Sequence, residues 1–222
     1  MNKEMLLLET PAANGPEISL WNLCLDGGWI MIVLAALLLI CIYVFVERAI
    51  VIGRASRQDD TFMKRIKDYI HSGRIDSAEQ LCRNTDTPYA RLIGKGISRI
   101  GRPMQDVLVT IENVGNLEVA GLSKGFTWLA TIAAGAPMIG FLGTVIGMVQ
   151  SFYAIAQSGS SAQIGDFAGG IYTALVTTVA GLIVGIISMF AYNYLVSRLN
   201  AAMNHMEART MEFMDLLNEP VK

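Results

Sequence analysis

Charged residues are scarce in this chain, and its centre has almost none. Of the 222 residues, 16% are charged, whereas soluble domains carry about 25%. Between Lys124 and Arg198 the only charged residue is Asp166. This shortage excludes an ordinary soluble domain, and it predicts a membrane protein with a modest aqueous part.

The sequence also lacks the patterns of several functional classes. Its three cysteines, Cys24, Cys41 and Cys82, have neither CxxC nor metal-ligand spacing, so we interpret them as packing thiols. There is no basic stripe and the net charge is −2, so no nucleic acid partner is expected. A phosphate-binding motif, a nucleophile elbow and paired carboxylates in an apolar run are missing too, so we expect neither an enzyme nor a bound cofactor.

Three uncharged runs are long enough to cross a membrane, since a spanning helix needs roughly 20 apolar residues. They cover residues 27–46, 125–156 and 167–196, and they predict an all-α membrane protein with three transmembrane helices. The remaining segments are 1–26, 47–124, 157–166 and 197–222. Within the first of these, residues 18–23 have the pattern of a short helix that lies at the membrane surface, with Trp21 among the headgroups.

Positive charge is concentrated in segment 47–124, which carries 13 of the 17 Lys and Arg residues. Because such residues favour the inner side of a membrane, this segment is predicted to be a cytoplasmic domain. The N-terminus and the connection 157–166, which has no Lys or Arg, then lie outside. The C-terminal segment lies inside.

The cytoplasmic segment has the apolar periodicity of helices. Two short helices are expected, then a third that starts at Pro88 and a fourth that starts at Pro103. No strong breaker follows until Pro137. We therefore predict that the fourth helix runs unbroken into the second span, as far as Ala156, with a bend at Pro137.

The third span is also predicted to continue beyond the membrane. After Arg198, apolar positions step by four and three residues, which is a heptad seam with one Thr in it. The seam consists of Leu199, Met203, Met206, Thr210, Phe213 and Leu217. The same helix is expected to reach about Leu217 and to pack on the cytoplasmic helices or on another copy of itself.

Small residues follow one face of each of the last two spans. On the second span they are Ala136, Gly140, Gly143, Gly147 and Ser151, and on the third they are Ala174, Thr178, Gly181, Gly185 and Ser188. Such faces let helix backbones approach closely. Together with Pro137, the Ala and Gly positions are assigned to helix packing and pore lining, with simple packing as the alternative for each glycine.

Hydroxyl groups accompany these faces, at Thr144, Thr177 and Thr178. A hydroxyl could orient a water or contact a carboxylic acid, although a buried Thr commonly bonds its own helix. No Asp, Glu, Lys, Arg or His lies inside the spans, whereas ion-driven membrane machines place an ionisable group there. Either the chain moves no ions, or a partner supplies the carboxylate. Asp166 is expected to cap the third span, or else to act as an acid at its entrance.

Two long motifs resemble the MotA/TolQ/ExbB proton channel family. Residues 136–148, APMIGFLGTVIGM, are similar to the family signature, and 170–182, GIYTALVTTVAGL, followed by Tyr192 and Asn193, resemble its matching segment. Residues 19–23 and the pair Glu47-Arg48 look like ExbB and TolQ members. The resemblance covers nearly the whole chain. MotA-type stators rank lower, because they have four spans with the main loop between the second and third.

The resemblance implies a stator subunit of the bacterial inner membrane. In that family five copies surround a dimer of a single-span partner of ExbD or TolR type, which brings a membrane aspartate. Proton flow drives movement and passes energy to a periplasm-spanning protein of TonB or TolA type. The family's hydroxyls fall on Thr144 and Thr178, which with the neighbouring Thr177 form the predicted proton pathway. The proton would be the coupling ion.

One position departs from the family, and other functions stay open. Thr173 stands where many ExbB and TolQ members carry a glutamate, which counts against a path through that group. A passive scaffold for a single-span partner, a stator for a different motility or transport machine, and a self-contained channel are the alternatives. The last is weakened because no span carries a charge.

Overall fold

The computed structural model of the protein describes residues 27–56, 60–158 and 164–218, which form seven α-helices. These are α1 (Gly28–Ala55), α2 (Asp60–His71), α3 (Ile75–Asn84), α4 (Pro88–Ile97), α5 (Met104–Leu122), α6 (Phe126–Ser158) and α7 (Ile164–Asn218). The predicted surface helix at 18–23 and Cys24 lie outside the described residues, as does much of the connection 157–166. The all-α class is thus confirmed for the described chain.

Three helices are long and apolar enough to cross a membrane, namely α1, α6 and α7. They coincide with the three uncharged runs of the sequence, so the prediction of three long apolar helices is confirmed. The N-out, C-in orientation, the cytoplasmic placement of the remaining helices and the pentamer stay predictions.

Two of these helices extend beyond their apolar runs. Helix α1 continues past the Glu47-Arg48 pair to Ala55, because charged side chains end an apolar run without interrupting helical hydrogen bonding. Helix α7 continues to Asn218, as the heptad pattern predicts, and Leu199, Met206 and Phe213 of that pattern are buried.

The prediction of one unbroken helix from Pro103 to Ala156 is wrong. Helix α5 ends at Leu122 and α6 begins at Phe126, and between them Gly125 has φ = +83°. This left-handed conformation is open to glycine and strained for other residues, so Gly125 ends the helical path. Helix α6 itself runs through Pro137 without interruption.

The described residues group into two compact units. The small unit contains 27–34, 139–158 and 164–181, and the large unit contains the other described residues, from 35 to 138 and from 182 to 218.

The core of the large unit is built from α2 to α5 and the last turns of α7. Phe213 of α7 is fully buried there, with Ile66 and Ile93. A Cβ at Gly96 would lie 2.6 Å from Cε1 of Phe213 and 2.8 Å from Cδ1 of Ile111, so a glycine lets α4 approach both side chains. Burial of this apolar surface is what stabilises the unit.

An ion pair joins α4 to α5 at the edge of this core. The Arg91 guanidinium donates two hydrogen bonds of 2.7 Å to the Glu118 carboxylate and a third to Asp86. The bidentate bond to Glu118 is the main cause of a raised pKa at Arg91.

Candidate functional site

Three glycines of α6, at positions 140, 143 and 147, bring its backbone against α7 within the small unit. This α6–α7 contact face, distinct from the heptad pattern after Arg198, is called the seam. A Cβ at Gly140 would lie 2.8 Å from the carbonyl oxygen of Thr177 and 3.1 Å from Cα of Gly181. At Gly147 a Cβ would lie 2.8 Å from both the carbonyl oxygen of Gly170 and Cβ of Ala174. These separations are shorter than van der Waals contact, so no larger residue fits without moving the helices apart.

The central glycine of this face accommodates a threonine. A Cβ at Gly143 would lie 2.7 Å from Cβ of Thr177. Thr177 is fully buried, and its hydroxyl donates 2.8 Å to the carbonyl of Ala174 on its own helix. Thr177 is therefore enclosed between the helices with its donor satisfied.

Thr178 instead connects the two helices. Its hydroxyl donates to the carbonyl oxygen of Gly140 over 3.1 Å, and its side chain is only partly buried. Among the hydrogen bonds that the structure gives for the three predicted threonines, this one alone passes from α7 to α6. Thr144, also partly buried, donates 2.5 Å to the carbonyl of Phe141 on its own helix.

Thr144 and Thr178 lie on the same side of the helix pair. The contacts of Gly140 with Gly181 and of Gly147 with Gly170 run in opposite directions along the two helices, so α6 and α7 are antiparallel here. With about 100° per residue, both threonines project to the same side of the contact face. Thr144 is one turn from Gly140, whose carbonyl binds Thr178, so the two hydroxyls are neighbours along the seam.

A second close approach occurs in the large unit. A Cβ at Gly185 of α7 would lie 2.6 Å from Cγ of Pro137 and 3.1 Å from the carbonyl oxygen of Ala133. Proline has no N–H, so it leaves the carbonyl four residues earlier, that of Ala133, without its helical donor. Ala136 next to the proline is fully buried.

The structure thus gathers the small-residue positions into two sets. Seven of the eight, together with Thr177 and Thr178, contact across α6 and α7. In the small unit these are Gly140, Gly143, Gly147, Ala174 and Gly181, and in the large unit Pro137 is paired with Gly185. The eighth, Ala136, is buried next to Pro137. The contacts of the described residues do not show whether any of these positions lines a pore. Their helix-packing contacts are direct; pore lining and the proton pathway stay predictions.

Two contacts were not anticipated. Gly170 packs against Ser151 and its Cβ position lies 3.1 Å from the carbonyl oxygen of Gly147, and it precedes Ala174 by four residues, so the spacing of the seam could have revealed it. In the large unit the Ser188 hydroxyl donates 3.1 Å to Sγ of Cys41. Both Cys41 and Cys82 are buried free thiols, as expected for packing residues.

The predicted cap at Asp166 is wrong in its position. Helix α7 begins at Ile164, so Asp166 lies within its first turn and does not precede the helix. The entrance-acid alternative stays open.

Comparison with known proteins identifies the family. The model of the MotA/TolQ/ExbB proton channel family matches residues 84–208, which include α4 to α6 and most of α7. The biopolymer transport protein ExbB of Neisseria meningitidis is 30% identical over 185 residues, 77% of this chain and 81% of that protein. An ExbB-like biopolymer transport protein of Synechocystis is 26% identical over 168 residues, 75% of this chain and 80% of that protein.

A third relative matches over a shorter region. An ExbB homolog of Methanothermobacter thermautotrophicus is 35% identical over 120 residues, 54% of this chain and 42% of that protein. The region that the family model matches includes the apolar α6 and most of α7, where the glycines and threonines described above meet. The chain belongs to the MotA/TolQ/ExbB proton channel family.

Proposed function

We propose that this protein is the ExbB-type stator subunit of a motor driven by the proton gradient across a bacterial inner membrane. It would work with a single-span partner of ExbD or TolR type, and the complex would power a TonB- or TolA-like protein that reaches the outer membrane. We further propose several copies of this chain around the partner, five by analogy with the family, and no enzymatic activity or cofactor other than the transported proton.

One observation carries this proposal: the Thr178 hydroxyl is fixed across the seam, in spans whose sequence contains no acid. Its proton is directed to the Gly140 carbonyl, so its oxygen lone pairs remain available as acceptors. The spans contain no Asp, Glu, Lys, Arg or His. A proton-driven device needs a titrating group inside the membrane, so the carboxyl group has to come from the partner.

The geometry favours one protonation state of that carboxyl group. A protonated acid can donate a hydrogen bond to the Thr178 oxygen without disturbing its bond to Gly140. A carboxylate can only accept, so the hydroxyl would have to turn toward it and give up the Gly140 carbonyl. We therefore propose that the partner's carboxyl group binds Thr178 more strongly when it is protonated than when it is ionised. This difference would couple protonation to movement. Thr144 offers a second acceptor on the same side.

The test is Thr178→Val, which keeps the shape of the side chain and removes the hydroxyl. We expect energy-dependent outer-membrane uptake in the host bacterium to fall by about tenfold or more, the equivalent of one lost hydrogen bond. Co-purification of the single-span partner should persist. Thr178→Ser should retain most uptake, because it keeps the donor and the acceptor.

The matched control is Thr127→Val, an exposed threonine near the start of α6, which should leave uptake unchanged. If Thr178→Val supports normal uptake with the partner bound, the chain is a passive scaffold and the proposal fails. Proton flux through liposomes that contain this chain alone would favour the self-contained channel instead.

A further inference from the structure

A narrow apolar cleft lies between α1 and α7 in the large unit. Its volume is about 290 Å³, near the roughly 300 Å³ lower bound of small-molecule sites. It is lined by Cys41, Ile42, Phe45, Ile187, Phe190, Ala191 and Tyr194. No lining residue is charged, and all belong to the apolar parts of two helices that can cross a membrane. The cleft therefore opens where lipid is the surrounding medium.

The two helices that form the cleft run in the same direction. Ser188 bonds Cys41, and one turn and a half further on, the Tyr194 ring packs 5.9 Å from the Phe45 ring. Both helices consequently reach their first charged residues after the apolar run at a similar level, α1 at Glu47 and α7 at Arg198. This level marks the membrane surface at one end of the cleft.

Arg198 continues the wall of the cleft into that surface. Ile187, Ala191, Tyr194 and Arg198 step by four, three and four residues, so they share one face of α7. Arg198 is exposed, and it makes no ion pair within the described part of the chain. A free guanidinium at the end of an apolar cleft matches the two ends of a phospholipid, an acyl chain and a phosphate.

We propose that this cleft binds part of one acyl chain of an anionic phospholipid, whose headgroup phosphate contacts Arg198. Lipid is a better occupant than a helix of a second copy, because the spans of this chain carry no acid that could pair with Arg198. Glu47 is at the right level, but it already bonds Arg48 over 2.7 Å. An anionic headgroup would pair with Arg198, whereas a spanning helix of a second copy would leave this arginine unpaired.

Native mass spectrometry of the full-length chain in detergent tests the headgroup. The probes are dioleoyl phosphatidylglycerol and dioleoyl phosphatidylcholine, titrated separately. We expect tighter binding of the anionic lipid, and Arg198→Gln should weaken it about fivefold, as one basic residue at an anionic membrane surface does. Binding of phosphatidylcholine should not change. Arg54→Gln, an exposed arginine in the last turn of α1, is the control and should bind like the wild type.

A second variant tests the cleft itself. Ala191→Trp places an indole among the lining residues and should remove the high-affinity site for both lipids. Ala36→Trp puts the same ring on the exposed opposite face of α1 and should leave binding intact. Unchanged lipid selectivity in Arg198→Gln overturns the proposal. So does an Ala191→Trp chain that keeps its lipid but loses its oligomeric state, because a second copy would then occupy the cleft.

Discussion

Thr177 and Thr178 are adjacent residues with the same side chain, yet they make different contacts. Thr177 is enclosed against Gly143 and bonds its own helix, whereas Thr178 bonds α6 through the Gly140 carbonyl. One helical step of about 100° separates the enclosed side chain of Thr177 from the partly exposed side chain of Thr178. Both residues are predicted from the sequence as part of the proton pathway, but spacing alone does not determine which hydroxyl bonds across the seam.

Gly143 is the most sensitive test of this packing. In Gly143→Ala the added methyl group would lie 2.7 Å from Cβ of Thr177, and the neighbour is a stiff β-branched side chain. We expect a loss of about 1–3 kcal/mol, as for other overpacked cores, measured as a lower midpoint of thermal unfolding in detergent.

Gly135→Ala is the matched control for that experiment. Gly135 lies in the same helix and has nothing within 4 Å of its Cβ position. Alanine there should leave the midpoint unchanged or raise it, because alanine favours helix over glycine by roughly 0.5–1 kcal/mol. Equal effects of the two substitutions would show that the seam is not closely packed in solution.

At the scale of elements, the junction between α5 and α6 depends on Gly125. Its φ of +83° is disfavoured for any residue with a Cβ, and that Cβ would also lie 3.1 Å from Cγ1 of Val44. Gly125→Ala should therefore destabilise the protein by about 1–2 kcal/mol. Chemical denaturation followed by circular dichroism would measure this loss.

Gly53→Ala, in the helical part of α1 with open space around it, serves as its control and should not destabilise. An alanine at 125 that costs no more than one at 53 would mean that α5 and α6 can join as one helix.

Most elements could be predicted from the sequence, because their signals are long. Twenty or more uncharged residues indicate a spanning helix, and the heptad steps from Leu199 to Leu217 indicate that α7 continues. The break at Gly125 could not be predicted, since a glycine inside a helical pattern is compatible with either outcome until its φ is known. The extent of α1 could not be predicted either, because Glu47 and Arg48 end an apolar run but not a helix.

At the scale of the whole molecule, stability at alkaline pH depends on a buried thiol. Cys82 packs in the core of the large unit, and burial, with a smaller contribution from the charge of Glu79, raises its pKa from 9.0 to about 12. The folded protein therefore keeps the thiol proton over a range in which the unfolded chain loses it. This contribution to stability is complete below about pH 9 and is lost as the pH rises toward about 12.

The expected result is that the wild-type unfolding midpoint falls more steeply than that of Cys82→Ala between about pH 8 and about pH 11. Thermal unfolding of both proteins at matched pH values measures the difference, which removes the common effect of Lys and Tyr titration. Parallel curves would mean that the thiol is reachable by water in the folded protein.

The contacts between the long helices were harder to predict at this scale than the elements themselves. Spacing identified the glycine faces of α6 and α7, but the pairing of Pro137 with Gly185 and of Cys41 with Ser188 depends on how the helices are aligned in three dimensions. The alignment of the helices is set by the sum of many contacts, and it cannot be read directly from the spacing of residues in one sequence.

Helix α7 also constrains how this chain can change in length. After Gly185 and as far as Asn218 it contains neither glycine nor proline. Ser188 is bonded near one end of this stretch, and Phe213 lies in the helical core near the other. One inserted residue between them would turn one end by about 100° relative to the other. Seven would restore the alignment to within about 20°. Evolution can therefore lengthen this helix in heptads far more readily than by single residues.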